Sequence, residues 1–189
     1  MRVVLLAAVL ALPACGGDPD YFLLPPPADA ARQTSAGSIA VAEISLPSYA
    51  EAMEIAALVG PEQLDLDERA LWADTPRRAL TRHLVAALES RLGGPVLTEP
   101  WPGFDPPARR VEVIVDRMVG GPGSGLDFSG QVVIVAAESG RVIAADRFAI
   151  AVAPQGDGYA GLLAAHARAI EILADRIAAR ISGRSVPAA

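Results

Sequence analysis

Leucine recurs at every fourth position from Leu80 through Leu84 and Leu88 to Leu92, with Val85 and Ala87 alongside. That spacing lays one apolar stripe along a helix. The predicted helix runs over 75–92: Asp74 or Thr75 is placed to cap its free amides, Pro76 suits the first turn, and Gly93-Gly94-Pro95 stops it. Arg77, Arg78, Arg82 and Arg91 fall largely outside the stripe, where solvated arginines belong. A second amphipathic helix is expected over 159–181, with Leu162, Leu163, Ile170, Leu173, Ile177 and Ile181 on its packing face and Gly183 as its stop signal.

Elsewhere the apolar period falls to two. Residues 110–118 set Val111, Val113 and Val115 against Glu112 and Asp116, the alternation of a half-buried strand. The glycine-rich run 120–125 leads to a strand over 127–137, and Glu138-Ser139-Gly140 turns the chain into another over 141–152. Such short connections join antiparallel neighbours, hence a meander. An earlier strand, 38–46, is apolar on both faces, with Ile39 and Val41 on one and Ala40, Ala42, Ile44 and Leu46 on the other, so it is expected to be covered on both sides. Residues 53–59 and 63–66 flank Gly60-Pro61 and fit a hairpin, although 51–58 also fits a helix. Together these elements predict an α+β single domain, an antiparallel sheet (the meander plus an N-terminal strand) packed by two main helices.

The first residues carry a different signal. Arg2 precedes an apolar run, 3–12, that ends in Leu12-Pro13-Ala14-Cys15. A positive start, a short apolar segment and small residues before a cysteine make a lipoprotein signal peptide, 1–14, cleaved between Ala14 and Cys15. The run is too short to span a bilayer, which takes about 20 residues. Cys15 is the single cysteine, so no disulfide forms within the chain, and its thiol is the expected lipidation site, carrying diacylglycerol and an N-acyl chain. No other cofactor is expected. Prolines and glycines make 15–37 a lipid-anchored flexible tether, in which 21–24 is apolar enough to dock as an edge strand. A periplasmic domain is expected over 38–183 and a disordered C-terminus over 184–189. Gly16, the second mature residue, reads as an outer-membrane address.

Composition narrows the function. The formal net charge is −6, and the 16 basic residues, all arginine, are scattered among 22 acids without a basic stripe. Nucleic-acid binding and a polybasic grip on membranes are both unsupported, leaving the lipid as the membrane attachment. His83 and His166 stand alone in the two helices, where boundary positions are expected, and no metal site is expected. Ser124 and Ser129 lack the spacing of a nucleophile elbow. Asp65, Asp67 and Glu68 lack the glycine and terminal glutamate of a calcium loop. No catalytic residue is assigned and no enzyme is expected. Trp72, just before the helix cap, is expected to plug the seam between sheet and helix, and Trp101, framed by prolines, is either a core plug or a partner contact.

Several short pieces follow one another in a familiar order. They are Tyr21-Phe22-Leu23, Val41-Ala42-Glu43-Ile44-Ser45-Leu46-Pro47-Ser48-Tyr49, Leu71-Trp72-Ala73-Asp74 leading to Ala79-Leu80 and Leu88, Pro100-Trp101-Pro102, and Gly158-Tyr159-Ala160. In this order the chain resembles the PqiC-type, or ABC-type transport auxiliary, lipoproteins over nearly all of its mature length. The family's usual Trp-Ala-Glu-Pro departs here, since Asp74-Thr75-Pro76 moves the proline by one. The resemblance implies a non-enzymatic, lipid-anchored accessory subunit on the periplasmic face of the outer membrane. Its partner would be an MCE-type protein of an ABC lipid transport system, whose channel it docks; self-association into a homo-oligomer is left open. The alternative is a periplasmic lipoprotein that itself binds a lipid or small apolar ligand.

Overall fold

The computed structural model describes residues 17–30 and 36–184. The expectations for the signal peptide, for Cys15 and for 185–189 lie outside them. Eight strands and two α-helices follow in the order β1 (Asp20–Phe22), β2 (Ile39–Val41), β3 (Glu54–Gly60), β4 (Gln63–Trp72), α1 (Pro76–Arg91), β5 (Val96–Thr98), β6 (Arg109–Gly121), β7 (Gly125–Ala136), β8 (Val142–Val152) and α2 (Gly158–Ile181). The class is α+β in a single domain, and the meander β6-β7-β8 forms as its short turns require.

The sheet differs from expectation in two ways. There are two sheets, β5-β2-β6-β7-β8 and β1-β4-β3, and both are mixed rather than antiparallel. β2 runs parallel to β5 and β6, and β1 parallel to β4. The connections explain this: β2 and β5 are separated by a hairpin and α1, long enough for a crossover that returns the chain in the same direction. β2 is also shorter than the expected 38–46. Beyond Val41 the chain leaves the ladder except for one bridge, Ser45 to Ile114. Its three residues are buried on both faces, as the apolar run implied, because it lies inside the five-stranded sheet.

The hairpin at Gly60-Pro61 forms, and its second strand continues to Trp72, past the expected end at residue 66. In the N-terminal stretch read as tether, Asp20–Phe22 pairs with Ala70–Trp72, so the ordered body starts well before residue 38. Docking is favourable there because Phe22 turns inward onto Tyr159, with ring centroids 5.8 Å apart.

Alternation on the meander puts Val111, Val113 and Val115 on the same buried side as Phe128, Val132 and Ile134. Both helices cover that side. α2 touches β6, β7 and β8, while α1 packs on α2 and β5. Leu80, Leu84, Leu88 and Leu92 are all buried, as are Leu162, Leu163, Ile170, Leu173 and Ile177. α2 stops where Gly183 takes a φ of 68°, which a side chain would resist. No helix among the described residues is long and apolar enough to cross a membrane.

Arg91 corrects the solvent-side assignment. It is buried, with its Nε 2.6 Å from an Asp175 carboxylate oxygen and Nη1 donating to the Ala87 carbonyl at 2.9 Å. α2 covers the flank of α1 that the leucine stripe alone leaves open, and Asp175 comes from that second helix.

Candidate functional site

The polar residues singled out for chemistry are dispersed by the fold. Ser124 donates its hydroxyl to the Gly121 carbonyl at 3.1 Å and so closes its own turn. Ser129 lies within β7 opposite Ala149. Asp67 accepts the Arg69 backbone N–H at 3.0 Å, which holds its carboxyl below the usual range, and also accepts the Tyr159 hydroxyl. Among the described residues no three His, Cys, Asp or Glu side chains gather to hold a metal ion.

Both histidines are buried, not boundary residues. His166 lies edge-on to Trp72 with ring centroids 5.4 Å apart, and its Nδ1 is 2.8 Å from the Leu162 carbonyl. Burial pushes its pKa down to about 4, so the ring is neutral at pH 7 and donates through Nδ1. Burial also lowers the pKa of His83, whose Nε2 has no hydrogen-bond partner. Their spacing carried the signal: His83 falls between Leu80 and Ala87 at helical steps, and His166 between Leu162 and Ile170. Residue type had argued for the boundary, and position decided otherwise.

A strap connects the chain's first described residues to this centre. After β1 it crosses the helix pair through Leu24 and Pro25-Pro26-Pro27, and the Ala28 N–H donates to Glu171 Oε1 at 2.9 Å. Between strap and α1 lies a cleft of about 390 Å³ with Trp72, Ala79, Arg82 and His83 among its walls. Trp72 is therefore a buried plug between strap, sheet and helices, as its place before the cap implied. Neither Asp74 nor Thr75 caps α1 in the expected way; Asp74 instead accepts the Thr75 N–H at 2.7 Å and pairs with Arg78.

Trp101 lies in the loop 99–108, which joins the edge strand β5 to the central strand β6 of the larger sheet. It is half-buried, and its indole Nε1 donates to the Asp105 carbonyl at 3.0 Å. Gly103 leaves room for the ring: a Cβ there would lie 2.6 Å from that nitrogen. Arg110 ties the base of the loop to Glu99. Four prolines stiffen the intervening chain. The loop thereby holds Phe104 at 104% relative exposure, the most exposed large apolar side chain among the described residues. Sequence reasoning chose Trp101 and missed Phe104. The missed signal is a lone phenylalanine between Gly103 and Asp105, with no apolar neighbour to share a core.

Solved structures share the architecture. An uncharacterized protein matches with a TM-score of 0.73 at 22% identity, covering 87% of this chain and 99% of its own. A Xanthomonas campestris protein of the DUF330 family matches with a TM-score of 0.61 at 18% identity, covering 85% and 90%. A PelC dodecamer from Paraburkholderia phytofirmans is more distant, with a TM-score of 0.42 at 15% identity over 76% and 86%. At these identities the first two likenesses establish fold alone. No curated protein matches the chain. The family model described as the ABC-type transport auxiliary lipoprotein component matches residues 21–178, from the first paired strand almost to the end of α2. The chain belongs to the ABC-type transport auxiliary lipoprotein family.

Proposed function

We propose that the protein is a non-enzymatic accessory subunit of an ABC-type lipid transport system. It is held by lipid on Cys15 at the periplasmic face of the outer membrane, where it docks an MCE-type channel. The observation that carries this reading is the family match across residues 21–178. The Leu12-Pro13-Ala14-Cys15 motif supplies the anchor in this reading, and Gly16 the outer-membrane address. In this reading four residues, 16–19, separate the anchor from the first described pairing at Asp20. In this reading the 99–108 loop supplies the contact, because an exposed aromatic on a proline-stiffened loop is the kind of side chain that fills a partner's pocket.

Two measurements test the proposal. Metabolic labelling with an alkynyl palmitate should mark the wild-type protein and leave Cys15→Ala unlabelled and released from membranes. A cleaved Cys15→Ala protein that stays membrane-bound would sink the anchor. In-cell crosslinking from the folded body should recover an MCE-type protein, and repeated recovery of unrelated proteins instead would overturn the transport assignment.

A further inference from the structure

A second surface, at the β8 side of the larger sheet, has the makings of a ligand site. On α2, Leu173, Arg176, Ile177 and Arg180 share one face by their i, i+3, i+4 and i+7 spacing. On the sheet, Val132 and Ile134 of β7 and Asp146 and Phe148 of β8 occupy alternate positions, with Val132 paired directly to Asp146. Helix and strands enclose a groove of about 210 Å³, apolar in its floor and charged at its rim.

The rim is unevenly charged. Arg176 and Arg180 line it together with a single carboxylate, Asp146. Arg180 takes that carboxylate with contacts of 2.7 and 2.5 Å, which holds the Asp146 carboxyl below its usual range. Arg147 alternates with Asp146 and Phe148 along β8, so its side chain turns to the other face of the sheet, where it reaches Asp116 at 3.5 Å. Arg176 makes no ion pair among the described residues; its Nη1 reaches the Ala149 carbonyl at 3.4 Å, and its buried Nε has no hydrogen-bond partner. A buried donor of this kind needs an acceptor, and here it adjoins an apolar floor. In a chain of net charge −6, this is a local reversal of sign.

We propose that the groove binds a single-chain amphiphile with an anionic head. The tail lies on Val132, Ile134, Phe148, Leu173 and Ile177, and the head accepts hydrogen bonds from Arg176. At about 210 Å³ the groove is smaller than the roughly 300 Å³ at which pockets for drug-sized ligands begin, so it holds part of one acyl chain and leaves no room for a second. The inference does not rest on the docking role: the groove is built from α2, β7 and β8, whereas the 99–108 loop joins β5 to β6.

The test uses the full chain with Cys15→Ala, purified without detergent so that no other acyl chain competes, and dansyl-undecanoate as fluorescent probe. Probe emission should rise on binding and fall on adding dodecanoate, while dodecanol should compete at least about tenfold more weakly and inorganic phosphate not at all. Arg176→Gln should weaken probe binding about tenfold, the size of one lost charge-assisted hydrogen bond, with Tm retained. Absence of probe binding, equal competition by dodecanol, effective competition by phosphate alone, or unchanged affinity in a folded Arg176→Gln protein overturns the proposal. If Arg176→Gln fails to fold, Arg180→Gln decides in its place: it is partly exposed and leaves the Asp146 carboxylate unpaired at the rim, so a loss of about threefold supports the site and no loss refutes it.

Discussion

His166 couples the core to pH. Unfolded, its imidazole takes a proton near 6.5; folded, it resists protonation until about 4, because the charged ring would have to leave water for a site against Trp72. Between those values the unfolded chain binds more protons, so stability increases with pH. The contribution is complete above about 6.5 and is lost as pH falls toward 4. At about 1.4 kcal/mol per pH unit, the step from pH 7 to 5 removes about 2 kcal/mol. Burial moves His83 in the same direction, whereas the lowered carboxyls of Asp67, Asp74 and Asp146 affect stability only in stronger acid. Urea unfolding should therefore show His166→Leu losing about 2 kcal/mol less than wild type between pH 7 and 5, and an identical loss would refute the buried neutral ring. Arg91 carries a related lesson. An arginine at the edge of a leucine stripe is a solvent residue until a second helix arrives with an aspartate, and nothing near Arg91 in sequence announces Asp175.

The longest strand pair turns on one small residue. β6 and β7 shift register between Val115 and Arg117, and Gly130 lies across from this bulge. A Cβ on Gly130 would stand 2.1 Å from the Ile114 carbonyl oxygen and 3.0 Å from Phe148, so even alanine must push the strands apart. Gly130→Ala should cost about 2 kcal/mol or more by urea unfolding, against less than about 0.5 kcal/mol for the neighbouring, half-exposed Ser129→Ala. Equal stability of the two variants would show that the ladder yields more easily than this packing allows. At this scale the helices, the hairpin at Gly60-Pro61 and the meander were legible, because each has a long period or a turn residue to mark it. β5 went unseen at three residues, too short to show a period. The mixed direction of the strands was hidden as well: β1 and β2 acquire partners from distant parts of the chain, and local alternation does not record which way a neighbour runs.

Across the whole molecule, two surface features of the larger sheet are separate in the fold. The β8 side carries arginines beside an apolar groove, while the β5–β6 connection carries the stiff loop with Phe104 at its crest. Cys15, as the expected lipidation site, and Trp101 could be picked from sequence because position marks them, one after a signal-like run and the other between prolines. Phe104 and the groove required three dimensions: a side chain's exposure and the meeting of α2 with β8 are properties of the packed chain. Because Phe104 is fully exposed, it contributes no buried surface to folding, and Phe104→Ser should leave unfolding free energy within about 0.5 kcal/mol of wild type. If the loop is the docking contact, the same change removes an aromatic anchor of the class that costs about 2 kcal/mol or more at interfaces. Retention of the MCE-type partner should then fall by about thirtyfold in a quantitative co-purification. Trp101→Ala gives the complementary reading: it removes the indole bond to Asp105 that closes the loop, so it should weaken partner retention while leaving Phe104 in the sequence. Full partner retention by Phe104→Ser at unchanged stability would move the docking contact away from this loop.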